Sequence, residues 1–257
     1  MTEPFFVMSL NLRFGRAADG AHSWDRRKHM LSALFHRHPA SFICVQEAND
    51  FQVHYLAGLL PDYRFTGHRH NPPAFWQDNA IFYHRRWNLV ESDRFFLSHT
   101  PDTPSRFAES KWPRQCTAAV FSRGGRQLVV ADTHLDFSTK VRVKSVRLIL
   151  SRLARFAGRP AILAGDFNAR PDQPCHRILT GKEPGEPGPP FIDPFEGSFA
   201  PTHHGFTGIP NQSTGRIDWI LYRGPLACTR CEILHDDFGG KYPSDHFPVY
   251  AGFSFTG

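Results

Sequence analysis

The segment Ala161-Ile162-Leu163-Ala164-Gly165-Asp166-Phe167-Asn168-Ala169-Arg170 follows Pro160 and passes from an unbroken apolar stretch into an acid and an amide. It reads as a buried strand that delivers polar groups at its carboxyl end. Taken alone, Asp-x-Asn is equally the mark of an Asx-turn. The same arrangement recurs along the chain. Phe5 to Leu10 leads into Asn11, Ser41 to Val45 into Gln46-Glu47, and Gln127 to Thr133 into His134. Asp218 lies at the head of another apolar run, and Asp245-His246 precedes the last one. Strand ends that all carry carboxylates, amides or imidazoles imply one rim of a sheet assembly, and that rim is the candidate site.

Between these segments the pattern alternates. A cap at Ser23 and the stripe Met30, Leu31, Leu34 and Phe35 predict a helix from Ser23 through His38, stopped by Pro39. Asp50 to Leu60 is a predicted helix closed by Pro61, and Gln173 to Thr180 another ended by Gly181. Lys140 to Phe156 is amphipathic and basic, with Val146, Ile149, Leu150 and Leu153 on one face. Further strands are read at 79–83, 89–97, 216–221 and 247–255, and Cys116 to Ser122 with Gln127 to Leu135 form a hairpin over Gly124-Gly125. The stretches 67–78, 101–113 and 185–190 read as loops, as does the region around His203-His204-Gly205. At 257 residues with 40% hydrophobic and 14% aromatic side chains, the expectation is a single domain over 1–257 with a large core.

No stretch resembles a signal peptide or an apolar membrane span, so the expected location is cytoplasmic and soluble. Five cysteines, an odd number, fit a reducing compartment better than a disulfide framework. Cys228-x-x-Cys231 has no second pair beside it and weighs against a zinc ribbon. The net charge of +6 favours an anionic substrate.

Oxygen and amide groups without thiolates suit a hard cation, Mg²⁺ or Mn²⁺ rather than Zn²⁺. A cation with acids, amides and imidazoles suits phosphoryl transfer to water. No Gly-x-x-x-x-Gly-Lys loop is present, which argues against ATP use.

The ordered set Leu10-Asn11-Leu12-Arg13, Gln46-Glu47, Asn79 to Tyr83, Arg114 with Thr117, Thr133-His134-Leu135-Asp136, Gly165-Asp166-Phe167-Asn168, Arg216-Ile217-Asp218 and Ser244-Asp245-His246 resembles the endonuclease/exonuclease/phosphatase superfamily, the fold of DNase I and exonuclease III. The resemblance spans nearly the whole chain. It implies an α/β (α+β) four-layer sandwich, two mostly antiparallel β-sheets face to face with helices outside.

By the same resemblance Glu47 is the principal metal ligand, with Asn11 beside it and Asp245 nearby. Asp166 orients or deprotonates the attacking water, and Asn168 holds the phosphate. His246, oriented by Asp218, and His134 contact phosphate oxygens, and Arg114 clamps the phosphate. Asp136 and Asn79 are weaker candidates. One position departs from the pattern, because Gln77 stands where DNase I-like members carry a Glu that supports His134.

The function expected is a divalent-metal-dependent phosphodiesterase working by in-line attack of an activated water. A phosphomonoesterase for a sugar, inositol or nucleotide phosphate is the alternative, and a catalytically silent binding module a second one. Partners are then a phosphate ester or nucleic acid. Substrate choice would lie in the loops 67–78, 101–113 and 182–215, where Phe75, Trp76, Trp112 and Phe206 could stack on a ring or simply pin the loops down.

Overall fold

The computed structural model describes residues 3–183 and 188–256. In chain order the elements are β1 (Phe5–Asn11), α1 (Trp24–Arg27), α2 (Met30–Arg37), β2 (Phe42–Ala48), α3 (Asp50–Leu59), β3 (Tyr63–Thr66), β4 (Asp78–His84), β5 (Asn88–Phe96), β6 (Gln115–Arg123), β7 (Arg126–His134), α4 (Thr139–Leu153), β8 (Ala161–Asp166), α5 (Pro174–Leu179), β9 (Asp218–Arg223), β10 (Leu226–Ile233) and β11 (Val249–Phe255). They build a six-stranded sheet of order β10-β11-β1-β2-β4-β3 and a five-stranded sheet of order β5-β6-β7-β8-β9. Among the described residues only the pairs β1/β2 and β7/β8 are parallel, so both sheets are mostly antiparallel.

Successive side chains of a strand point to opposite faces, and this divides the core into layers. In β8, Ile162 and Ala164 pack between the sheets with Phe5, Val7, Phe42, Ile81, Phe121 and Val130, whereas Leu163 packs outward. Outside the five-stranded sheet, Val129, Ala131 and Leu163 meet Val146, Ile149, Leu150 and Leu153 of α4. Outside the six-stranded sheet, Met8, Leu10, Ile43 and Val45 meet Leu31, Leu34, Val53 and Leu56. The result is the four-layer sandwich expected from sequence. Among the described residues, no helix is long and apolar enough to cross a membrane.

The differences from the sequence expectation have local causes. The helix expected over Ser23 to His38 is broken, because Leu31 N–H bonds back only three residues to Lys28 and separates α1 from α2. Just before the break, Arg27 is buried and its guanidinium donates to the carbonyls of Leu12, Arg13 and Pro243, fixing α1 to the loops under the rim. Strand β10 was not read from the sequence because a bulge between Cys228 and Arg230 breaks its period of two, and β3 because it is four residues long. The segment read as a strand from Arg216 begins at Asp218, and the last strand begins at Val249. Part of the loop expected at 185–190 lies outside the described residues.

The parallel pairing β7/β8 brings backbones unusually close where it matters. Gly165 has φ +145°, and a Cβ there would lie 2.0 Å from the Thr133 carbonyl oxygen. Neither backbone can retreat without disrupting the ladder that aligns His134 with Asp166. Gly165→Ala is therefore expected to lower stability by about 3 kcal/mol, measured as a shift in urea midpoint. An unchanged midpoint would show that the ladder is looser than its geometry.

Candidate active site

The topology collects the polar strand ends. β1, β2, β7 and β8 finish at the same rim where the antiparallel strands β4, β6, β9 and β11 begin. In register, His134 is paired with Asp166, and Asp166 with Asp218. Arg114 immediately precedes β6, and Asp245-His246 lies in the turn leading into β11. Arg13, Glu47 and Asn168 have φ of +60°, +58° and +47°. Left-handed backbone at non-glycine residues costs on the order of 1–3 kcal/mol each, and its gathering at one rim is a mark of a functional centre.

Asp166 is buried at the middle. Its Oδ1 accepts the Asn168 backbone N–H (2.9 Å) and its Oδ2 accepts Asn11 Nδ2 (3.0 Å). The same oxygen lies 3.5 Å from His134 Nε2 and 4.0 Å from His246 Nε2. Burial, followed by the charge of Asp218, pushes the Asp166 carboxyl up to about 7, while His246 and the two hydrogen bonds pull against the rise.

The two histidines are in opposite states. His246 Nδ1 donates to Asp218 Oδ2 at 2.9 Å. Burial opposes its charge, but Asp218, then Asp245 and Asp166, outweigh burial and push it up to about 10, so it is an imidazolium. His134 is held well below its ordinary value by burial and then by the charges of Arg114 and His246. Arg114 Nη1 lies 3.0 Å from His134 Nδ1. Asn168 Nδ2, which donates to the Leu135 carbonyl, lies 3.0 Å from Nε2, so both ring nitrogens face donors and the neutral ring can accept from one of them only. The partner of His134 is thus a cation rather than the carboxylate missing at Gln77, and the ring is neutral.

Glu47 and Asn11 meet Asp166 from the other sheet. Asn11 Nδ2 spans Glu47 Oε1 (3.3 Å) and Asp166 Oδ2 (3.0 Å), while its Oδ1 accepts Arg13 N–H (2.8 Å). Glu47 Oε2 accepts Phe14 N–H at 2.6 Å. Two carboxylates joined by one neutral amide, half-buried on the Glu47 side and open to a recess, fit a hard divalent cation that keeps most of its waters. In this arrangement Asn11 turns its amide N–H groups toward the acids and its oxygen toward Arg13. Asp245 sits a step away, its Oδ2 3.7 Å from Arg13 Nε and 3.8 Å from His203 Nε2. Burial would raise its pKa, but His203, His246 and Arg13 prevail and hold it below the usual carboxylate range.

Beside Glu47 and His134 opens a recess of about 80 Å³, walled by Phe75, Trp76 and Trp112 and floored by Arg114. Burial lowers the Arg114 pKa, and the charges of Glu47, Asp166 and Asp136 oppose the fall. Asp136 therefore acts on Arg114 at a distance, and its Oδ1 accepts Ser138 N–H. Asn79 is buried in a layer beneath the site and lines the recess.

Some parts of the site lie outside the roles expected from sequence. Thr202 Oγ1 accepts the N–H groups of Ile217 and Asp218 and so seats the start of β9. His203 and Arg13 flank Asp245. Arg216, which could have paired with Asp218, instead binds buried Asp193 at 2.6 Å, and Asp193 also accepts from His176 at 2.8 Å.

A sequence profile described as the Endonuclease/Exonuclease/phosphatase family matches residues 8–246. The chain belongs to this family. Its backbone superposes with a TM-score of 0.88 on a mannosyl-6-phosphatase of Bacteroides thetaiotaomicron, 26% identical, over 98% of this chain and 100% of that one. A second family structure from the same organism gives TM-score 0.88 and 26% identity over 98% of both chains. In sequence the chain is 27% identical over 189 residues to Nocturnin of Drosophila melanogaster, covering 65% of this chain and 28% of that protein. It is 29% identical over 180 residues to Protein angel of the same fly, covering 62% and 48%. The chain thus spans less than half the length of these curated relatives. Membership of the family supports a phosphoesterase, and the acidic and histidine groups at the rim could hold a divalent ion.

Proposed function

We propose that the protein is a Mg²⁺- or Mn²⁺-dependent hydrolase of small phosphate monoesters of the sugar phosphate kind. Glu47, with Asn11 beside it, would hold the cation, with Asp166 and Asp245 contributing to the negative field around it. When bound, the ion would polarise a phosphate oxygen and offset the ester's charge. Asp166, poised near neutrality, would take the proton of the attacking water, because its Oδ2 faces the gap between the two imidazole Nε2 atoms. His246 as imidazolium, Asn168 as amide and Arg114 as guanidinium would surround the phosphoryl oxygens with donors, with the neutral His134 ring beside them. Asp218 would keep His246 charged and oriented.

The observation that carries the choice of substrate is the recess itself. Trp76, Trp112 and Phe75 wall a recess that also holds Glu47, Arg114 and His134, so a ring carried on the phosphate would meet aromatic side chains. The indole faces suit the apolar face of a sugar. The similarity to a sugar-phosphate phosphatase over the full chain agrees with this reading.

A phosphodiesterase acting on single-stranded nucleic acid is the second reading. It is favoured by the exposure of Phe75, Trp112 and Phe137 around Arg114, which could stack on bases.

Turnover of hexose 6-phosphates, a bis-nitrophenyl phosphodiester, single-stranded DNA and RNA, each with Mg²⁺ or Mn²⁺, decides between them. Release of inorganic phosphate from a hexose phosphate, with little from the others, is expected. Trp112→Ala should then raise KM about tenfold with kcat nearly unchanged, as befits a stacking contact worth about 1.4 kcal/mol. Faster cleavage of the oligonucleotides would overturn the monoester reading.

A further inference from the structure

Away from the active site, a second group of metal-binding side chains lies at the start of α3. Asp50 and His54 are one helical turn apart and share a face, and His68 comes from the loop after β3. One nitrogen of each imidazole and one carboxylate oxygen lie within 4.8 Å of one another. His68 Nε2 is 3.0 Å from Asp50 Oδ1, and His54 Nδ1 is 3.5 Å from the same oxygen. Ligands about 2.0–2.1 Å from a tetrahedral ion are roughly 3.3 Å apart, close to the two separations measured from Asp50 Oδ1.

Independent support comes from behind His68. Its Nδ1 faces Asp78 Oδ2 at 2.8 Å, and the Asp78 side chain is wholly buried. A carboxylate on the far ring nitrogen is the arrangement that orients a metal-binding histidine and raises its basicity. With a proton kept on Nδ1, loss of the proton between Nε2 and Asp50 Oδ1 frees a lone pair directed toward Asp50 and His54. Asp78 is itself held by other donors, since its Oδ1 accepts the Trp76 indole N–H at 2.7 Å and its Oδ2 the Arg69 backbone N–H at 3.0 Å.

We propose that Asp50, His54 and His68 form a zinc-class transition-metal site, oriented by Asp78, which ties the loop bearing Phe75 and Trp76 to α3. Two imidazoles and a single carboxylate select Zn²⁺, Co²⁺ or Ni²⁺ over Mg²⁺, in contrast to the oxygen-rich rim. Binding gives up two hydrogen bonds, the one between His68 Nε2 and Asp50 Oδ1 and the one His54 Nδ1 donates to the Asp50 carbonyl at 2.8 Å. An occupied site would add to the contact from Asn49 Nδ2 to the Trp76 carbonyl (2.6 Å), which already fastens the same loop. The ion would steady one wall of the recess without taking part in the reaction.

Zn²⁺ binding to the whole protein, followed by competition with a chromophoric chelator at saturating Mg²⁺, tests this directly. The wild type should bind one equivalent more tightly than His54→Ala by at least about a hundredfold, and Co²⁺ should give the visible absorption of a tetrahedral site that the variant lacks. His54 is 63% exposed at its side chain, so the substitution leaves folding and Mg²⁺-dependent turnover intact. Asp78→Asn should weaken Zn²⁺ by 10–100-fold. Equal stoichiometry and affinity in wild type and His54→Ala, or wild-type binding only at about millimolar Zn²⁺, would overturn the proposal.

Discussion

Asp166→Asn is expected to lower kcat by roughly a thousandfold, measured as phosphate release at saturating metal, while the protein stays folded. The amide cannot accept the proton of the attacking water, and it removes one of the two acids that flank Asn11. Its effect on stability is separable. The carboxyl, raised to about 7 in the metal-free protein, binds a proton in the folded chain that the unfolded chain releases near pH 4. The folded state therefore binds more protons, and stability of the metal-free protein falls as pH rises from about 4 to 7. An amide is blind to this. Of the two donors now on Asp166, Asn168 N–H keeps an acceptor, whereas Asn11 Nδ2 faces an NH₂ group and loses about 1 kcal/mol. Relief of a penalty that can reach about 4 kcal/mol above pH 7 is larger. The metal-free variant should thus be at least as stable as wild type at pH 8, and a kcat within tenfold of wild type would remove Asp166 from the reaction.

Asp193→Ala should have the largest effect on stability, about 3–5 kcal/mol, because it strands the Arg216 guanidinium in the protein interior. Arg216 has no exposed surface, and Asp193 is its carboxylate partner at 2.6 Å. For a chain of this size that loss corresponds to a fall in Tm of roughly 6–20 °C. Burial opposes ionisation of Asp193, but His176 and Arg216 overcome it and bring the carboxyl down to about 2. A depressed carboxyl stabilises fully above its unfolded pKa, so this contribution is complete by about pH 5 and disappears as pH falls through 2. Combining the change with Arg216→Met should restore part of the loss, since no unpaired charge then remains. If thermal melts show less than about 1 kcal/mol for the single variant, the pair is hydrated and its burial carries no penalty.

Much of the rim was legible because chemistry and periodicity coincide there. An apolar run that ends in Asn11, Glu47, His134 or Asp166 announces both a strand and the group it presents, and the sheet order then makes those ends neighbours. Four kinds of information were not legible. Partners from loops, such as Thr202 beneath Asp218 or His203 beside Asp245, leave no period in the sequence. Partner exchange among charges is also invisible, so Arg216 could be placed with Asp218 although it belongs to Asp193. The state of His134 followed from Gln77 only in part, because the absence of a carboxylate did not disclose that Arg114 stands on the other ring nitrogen. Irregular backbone hides strands as well, and the bulge of β10 removed the alternation by which an edge strand is recognised.

The Gly124-Gly125 turn joins β6 to β7 at the end of the sandwich remote from the rim, where both residues have positive φ and nothing approaches within 4 Å of the place a Cβ would occupy. His134 is the ninth and last residue of β7 beyond it, a span of roughly 30 Å. New termini, a fluorescent module or a tether to a solid support can enter the chain at this turn without nearing a reacting group, which makes the far edge of the sheet the natural handle for immobilising the enzyme with its catalytic mouth facing solution.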